Sequence, residues 1–200
     1  SEGIADILKQ QYRLTRVDAI ANMIDTTEAQ ALARQEVNDE RWFAEGKVLI
    51  WIGRFCEQKA PWQMLRVFSR LREKRGDLRL LLIGDGPLRA EMQRVAIREG
   101  VDDAIHWVSS VTNVFAYLVR ADVLVMTSQW EGFPRVLLEA LSVGTLVVSS
   151  DCATGPRELL APAVGLDKEV AYPYAGRYGV LVPVGADAQL FFGIEGVLDG

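Results

Sequence analysis

Cysteine, histidine and long apolar runs are all scarce in this chain of 200 residues. Cys56 and Cys152 are too few for a secreted disulfide framework, and with His106 as the single histidine no cluster is spaced to bind zinc. A reducing, cytoplasmic setting is the expectation. No run of about 18 apolar residues occurs, as a membrane-crossing helix needs, and the stretch SEGIADILKQ does not read as a signal peptide. No long block of like charge is present either. The 22 basic and 27 acidic side chains give a formal charge of -5, which excludes a duplex nucleic-acid clamp. Any anion this chain binds must be held by a local arrangement. Tandem repeats and low-complexity tracts are absent.

What is there is apolar and periodic. Half of the residues are hydrophobic, enough at this length for one well-cored domain. From Lys47 onward come short, nearly continuous runs: VLIWIG (48–53), LRLLLIG (78–84), AIHWV (104–108), DVLVMT (122–127), TLVVSS (145–150) and YGVLVPV (178–184). Continuous rather than alternating runs predict strands buried on both faces, as parallel strands are. Helical spacing lies between them, clearest over Trp62–Arg75, where Trp62, Leu65, Phe68 and Leu71 share a face. Pro87–Glu99, Val114–Arg120, Val136–Val143, Pro156–Leu160 and Ala188–Leu198 supply the other helices. The pattern predicts an α/β fold: a Rossmann-like, doubly wound parallel sheet of about six strands, with ligand sites at the strands' carboxyl ends. Residues 47–200 form this domain. Residues 1–46 read as an edge strand at Val17–Ile20 with wrapping helices at Ala5–Tyr12 and Thr27–Phe43. The stretch 161–179 is irregular, a surface insertion, flap or partner-facing surface.

Three junctions carry residues suited to chemistry. Gly53-Arg54, followed by Lys59 and Pro61, puts a close-approach glycine, a bidentate cation, a point charge and a helix start together. It suits a diphosphate; two solvated cations beside a strand end are the alternative. Gly84-Asp85-Gly86-Pro87 is a tight turn into a helix, but Arg89 stands where a dinucleotide loop has its third glycine. A hydride-transfer cofactor is therefore not expected, and the turn either answers backbone geometry or abuts a nucleotide. In the block from Ser128 to Ala140, Glu131 and Glu139 would be about 12 Å apart on a continuous helix, too far to share a proton. Gly132 and Pro134 instead start the helix near Pro134 or Arg135, leaving Glu131 in the loop and Glu139 in the second turn. Two carboxylates and helix-start amides then border one pocket suited to a sugar nucleotide, or the helix is simply uncapped with one exposed glutamate. Trp107 and Trp130 read as core or wall residues, with stacking on a ligand as the alternative, and His106 as a satisfied core or edge residue, with catalysis as the alternative.

Taken together, VLIWIGRFCEQKAPWQMLRVF, LRLLLIGDGPLRAEM, ADVLVMTSQWEGFPRVLLEALSVGTLVVSSD, GPRELL and YGVLVPV give the chain a resemblance to a known family. It resembles the carboxyl-terminal, donor-binding domain of retaining glycosyltransferases with the GT-B fold, family 4 (group 1). EGFPRVLLEA is the specific element, and residues 1–46 look like the family's link from an amino-terminal domain. The resemblance implies that Arg54 and Lys59 bind the donor diphosphate and that Glu131 faces the donor sugar, the three forming the catalytic set. It implies that Gly132, Phe133 and Pro134 contact sugar or phosphate, Arg135 a phosphate, and Glu139 the ribose hydroxyls. Val108 and Ser109, near Gly53, Gly84 and Gly86, would border the base, although many relatives have glycine where this chain has Ser109.

Further implied are a nucleotide-diphosphate sugar donor, UDP-linked, and a glycan or lipid-linked acceptor held mainly by an amino-terminal domain in a protein about twice as long. No cofactor and no metal is called for, in keeping with the absence of an Asp-x-Asp pair. The products would be lipopolysaccharide, capsule or similar glycans, made in the cytoplasm or at the membrane's inner face. This chain alone would bind donor and transfer little. The rival readings are a non-catalytic nucleotide-binding module and a sugar-nucleotide epimerase-like protein.

Overall fold

The computed structural model describes residues 1–38 and 40–200. In chain order the elements are α1 (Glu2–Gln10), α2 (Thr26–Ala33), α3 (Glu40–Phe43), β1 (Lys47–Ile52), α4 (Pro61–Lys74), β2 (Leu78–Ile83), α5 (Arg89–Arg98), β3 (Ile105–Val108) and α6 (Phe115–Leu118). There follow β4 (Val123–Met126), α7 (Arg135–Ser142), β5 (Leu146–Ser150), α8 (Pro156–Leu160), β6 (Tyr174–Ala175), β7 (Val180–Val182) and α9 (Asp187–Asp199). Single 3-10 turns sit at Glu57–Lys59 and Asp102–Ala104.

The sheet has the order β3-β2-β1-β4-β5-β7-β6, parallel throughout except for β6, which runs antiparallel to β7. All six expected strands are present. Their unbroken apolar runs have a direct cause in β1: Leu49 and Trp51 pack with α4, α5 and α9 on one face, while Val48 and Ile50 pack with α6, α7 and α8 on the other. Both faces are dry, so alternation between polar and apolar residues has no place here. On α4, Leu65, Phe68 and Leu71 are buried and Arg66 and Arg70 are exposed, as the helical spacing predicts. Pro61 opens this helix from Ala60, which holds a left-handed conformation with φ of 45°.

The chain winds outward from β1 to β2 and β3, then returns to β4 on β1's other side. The connections after β1 and β4 therefore diverge, leaving a crevice beyond their carboxyl ends, which is where open α/β sheets bind ligands.

Two expectations need correction. No strand forms at Val17–Ile20; residues 13–25 are irregular, and Ile20 and Met23 are exposed. The sheet edge beside β7 is taken instead by β6, from within the stretch read as irregular. The long helix expected over Thr27–Phe43 is two helices, α2 and α3; Asp39, within that stretch, lies outside the described residues. α2 is tied down where Asn113 Nδ2 donates to the Leu32 carbonyl at 2.9 Å.

The stretch 161–179 is anchored by a buried charge cluster. Arg157 donates to both oxygens of Asp151 and to the carbonyls of Gly165 and Lys168, while the Tyr172 hydroxyl donates to Asp151 Oδ2 at 2.7 Å. The Asp151 side chain is 2% exposed and that of Arg157 10%. Hydrogen bonding to Asp151 raises the Arg157 pKa despite burial, and burial and Asp151 together raise that of the Tyr172 phenol. Removing one member of such a pair strands a buried charge, at a cost of about 3–5 kcal/mol. Arg157→Met is expected to lower stability to urea by about that amount and to open 161–173 to proteolysis; an unchanged unfolding midpoint would remove the anchoring role.

Candidate functional site

Two loops form the floor of the crevice by packing backbone on backbone. Beyond β1, Gly53 N donates to the Ile83 carbonyl and Phe55 N to that of Asp85, while Leu88 N donates back to Phe55, each at 3.0 Å. A Cβ on Gly84, at φ of 137°, would stand 2.0 Å from the Gly53 carbonyl oxygen, and one on Gly86 2.5 Å from that of Phe55. Neither position accepts a side chain, so backbone contact alone accounts for the Gly-Asp-Gly turn. The same turn lines a groove of about 530 Å³ with Gly53, Arg54, Ser110 and Val111. Backbone geometry therefore accounts for this turn, which also borders an open groove.

Arg89 shows why the third glycine is dispensable here. Its guanidinium donates to the Gly84 carbonyl, to Asp85 Oδ1 at 3.0 Å and to the Val108 carbonyl at 3.1 Å, tying the ends of β2 and β3 together. Asp85 Oδ2 in turn accepts from Ser110 N at 3.2 Å. The Val108 carbonyl is thus engaged by Arg89 and by Gly84 N. Ser110 and Val111 wall the groove, not Val108 or Ser109.

On the other side of the crevice the loop after β4 grips the turn that carries Lys59. Thr127, 1% exposed, accepts from Trp51 Nε1 at 3.1 Å and donates toward the Lys59 carbonyl at 2.8 Å. Gln129 N donates to the Gln58 carbonyl, and Gln58 Nε2 to that of Trp130 at 2.9 Å. With both backbones fixed, Lys59 Nζ and Glu131 Oε1 form an ion pair whose side chains are 21% and 8% exposed. Glu131's own carbonyl accepts from Thr154 Oγ1. Beside it, burial first and the negative charge of Glu131 second push the Cys152 thiol up to about 12. This cysteine is an inert core residue.

Pro134 is the N-cap of α7, without a side-chain cap, and Arg135 begins the helix. Among the described residues the leading amides of α7 thus have no side-chain acceptor. Glu131 lies in the loop and Glu139 in the second turn, as the spacing predicted. Arg135, largely exposed, pairs with Glu139 at 3.1 Å, and Glu139 does not line the 530 Å³ groove. The structure therefore brings together Gly53, Arg54, Gly84 and Gly86 around that groove and joins Lys59 to Glu131. Arg135 and Glu139 stand as a pair on α7. Arg89, Thr127 and Thr154 position these groups; of the three only Arg89 had a local sequence signal, the interrupted glycine pattern.

α1 lies against the same turn. A Cβ on Gly132 would meet Ile4 Cδ1 at 3.2 Å, and Gly155, at φ of 91°, packs where a Cβ would strike Pro134 Cδ at 2.5 Å. Phe133 borders a larger cleft of about 860 Å³ between α1 and the 162–167 stretch. Glu158 fastens α1, accepting from Ser1 Oγ at 2.9 Å, Glu2 N at 2.8 Å, Gly3 N at 3.3 Å and Gly155 N at 3.1 Å.

A doubly wound, mostly parallel sheet with charged loops converging on its switch point is a Rossmann-like fold, shared with GT-B glycosyltransferases. Residues 33–189 match the family described as glycosyl transferases group 1, and the chain belongs to that family. An uncharacterized glycosyltransferase of Methanocaldococcus jannaschii is 34% identical over 81% of this chain and 40% of its own length. A lipopolysaccharide 1,6-galactosyltransferase of Salmonella typhimurium is 34% identical over 64% of this chain and 36% of its own. A GDP-mannose-dependent alpha-mannosyltransferase of Mycobacterium tuberculosis is 30% identical over 86% and 40%. Among solved structures, a point mutant of S. aureus TarM in complex with Fondaparinux, alpha-GlcNAc-glycerol and UDP superposes with a TM-score of 0.78 at 16% identity over all of this chain and 36% of its own. The chain thus spans less than half the length of these relatives.

Burial of Glu158 opposes its charge, but hydrogen bonds from Ser1, Glu2, Gly155 and Gly3 together outweigh it, and the carboxyl titrates below the ordinary 4.5. A lowered folded-state value means that α1 docking is stabilised above the ordinary glutamate range and loses that support as pH falls through the folded value. Hydrogen exchange at the Glu2 and Gly3 amides is expected to lose protection in that acid range, whereas Glu158→Gln has weak protection already at neutral pH. Protection in the parent chain that ignores pH would remove Glu158 as the fastener.

Proposed function

We propose that this domain holds a nucleoside diphosphate sugar, UDP-linked, and supplies the donor half of a retaining glycosyltransferase acting on a glycan or lipid-linked acceptor. The observation that carries the reading is the Lys59–Glu131 pair, fixed between the β1 and β4 loops at the switch point with Arg54 on the neighbouring groove. In this reading the base lies along the groove walled by Gly84, Gly86, Ser110 and Val111, and the ribose lies beyond that wall. The diphosphate meets Arg54, Lys59 and the uncapped start of α7, and Glu131 accepts a hydrogen bond from a donor-sugar hydroxyl. Glu139, presented by Arg135, takes the ribose hydroxyls.

The reaction breaks the bond between the anomeric carbon and the diphosphate oxygen, whose electron pair stays with the diphosphate. The acceptor oxygen bonds to the same face of that carbon and passes its proton to the departing diphosphate oxygen. Negative charge grows on the leaving diphosphate, and preorganised cations and amides aimed there stabilise the transition state more than the ground state. Arg54, Lys59 and α7 meet that requirement without calling on a metal. Group 1 membership, the lipopolysaccharide galactosyltransferase among the relatives and UDP in the TarM complex support the reading; the GDP-mannose-dependent relative makes GDP the alternative nucleotide. In such an enzyme the rest of the protein supplies most of the acceptor site.

Calorimetric titration with UDP, GDP and ADP in parallel tests this. UDP is expected to bind in preference, and Arg54→Ala to weaken it roughly 10- to 100-fold, the loss of one charge-assisted contact to phosphate. Glu139→Gln is expected to weaken it less. Binding of GDP alone would reassign the nucleotide, and an Arg54→Ala variant of unchanged affinity would take Arg54 out of the site.

A further inference from the structure

A second recess lies on the other side of the turn that carries Lys59. Its volume is about 530 Å³, within the range of small-molecule sites. Trp62, Leu88, Met92 and Trp130 form its apolar lining; Glu57, Glu91 and Gln129 supply the polar groups. None of its lining residues borders the Gly53–Gly86 groove. Arg54 lines that groove and Glu57 this recess.

Trp130 is the feature the donor reading leaves unused. Its side chain is among the large exposed hydrophobics, the residue being 58% exposed, yet its backbone is not loose. Gln58 Nε2 holds the Trp130 carbonyl at 2.9 Å, and Gln129 N is bound to the Gln58 carbonyl at 2.8 Å. Beneath, Met92 is 3% exposed and belongs to the core that α4 and α5 share with β1 and β2. An indole left in water on a fixed backbone, one residue before Glu131, is an exposed apolar surface that costs little entropy to cover.

The surrounding chemistry selects the occupant. Aromatic rings cover the C–H face of a sugar ring, and carboxylates and an amide exchange hydrogen bonds with its hydroxyls, an O–H donating to a carboxylate being among the stronger kinds. Two carboxylates with no lysine or arginine among the lining residues disfavour phosphate, uronate or any other anion. An acyl chain would strip water from Glu57, Glu91 and Gln129 without replacing its hydrogen bonds. The donor's own sugar is tethered by its diphosphate on the Arg54 side. We propose that this recess is a subsite for one neutral pyranose unit of the acceptor glycan, with Trp130 as its platform. The inference rests on the donor reading for its purpose, since Trp130 directly precedes Glu131 in the chain.

The chain has five tryptophans, so labelling with 5-fluorotryptophan gives five fluorine resonances, with Trp130 assigned from Trp130→Phe. Methyl α-D-glucopyranoside and methyl α-D-galactopyranoside are titrated with and without saturating UDP, beside glucuronate as the charged control. At least one neutral pyranoside is expected to shift the Trp130 resonance saturably, with a millimolar dissociation constant that UDP leaves in place. Glucuronate is expected to bind at least several-fold more weakly, and the Glu57→Gln, Glu91→Gln double variant to reduce neutral-sugar affinity several-fold. No shift with either pyranoside overturns the proposal. So does a shift that UDP abolishes, which places the sugar in the donor groove, or one that follows protein concentration, which makes the recess a contact between copies. The heat of UDP binding is recorded separately, so failure of the donor reading and failure of this subsite give different results.

Discussion

The backbone of Gly84 touches that of Gly53, and the geometry of the crevice follows from that contact. Because a Cβ would stand 2.0 Å from the Gly53 oxygen, the loops after β1 and β2 can run side by side only with glycine there. Their joint path places Arg54 and Gly86 on one groove, and Arg89 locks the arrangement by spanning the ends of β2 and β3. On the far side, Thr127 couples β4 to the Lys59 turn, so the ion pair with Glu131 is set by two backbones rather than by two flexible side chains. A pair held in this way loses little rotamer freedom when it meets a ligand.

A net charge of -5 does not oppose anion binding when the cations are placed this locally. Lys59 and Arg54 lie at the crevice, while Arg66, Lys74, Arg75 and Arg79 are spent on ion pairs elsewhere on the surface. Such exposed pairs contribute about 0–1 kcal/mol each, so their effect on the fold is small and their effect on the long-range field is to cancel it. What a phosphate would meet is the short-range potential of Arg54, of Lys59 with its partner Glu131, and of a helix start.

The strands and most helices were legible because the physics that makes them is local in sequence: a doubly buried strand needs a continuous apolar run, and β1 and β2 supply one. Val17–Ile20 shows where this fails. A strand exists only with a neighbour, and the edge beside β7 belongs to Tyr174–Ala175, a pairing no local pattern announces. Glu131 and Glu139 were placed in the loop and second turn by Gly132 and Pro134 alone. That Ser110 and Val111 line the groove was not legible, because the path of this loop involves contacts across two loops, with Arg89 and Gly84 engaging the Val108 carbonyl. Thr154, whose partner is 23 positions away, carried no signal for the same reason.

The turn that bears Glu131 is also where the chain's first helix is fastened. Thr154 holds the Glu131 carbonyl, Gly155 packs on Pro134 and Gly132, and Glu158, in the same short stretch, binds the first residues of α1. Any displacement of α1 must therefore either break the hydrogen bonds to Glu158 or carry the 154–158 stretch with it, and that stretch is in backbone contact with the residues flanking Glu131. Packed backbone of this kind moves as a unit instead of deforming gradually. The position of α1 and the geometry of the Glu131 turn are thus joined by one set of contacts, running from Glu158 through the 154–158 stretch to the residues flanking Glu131.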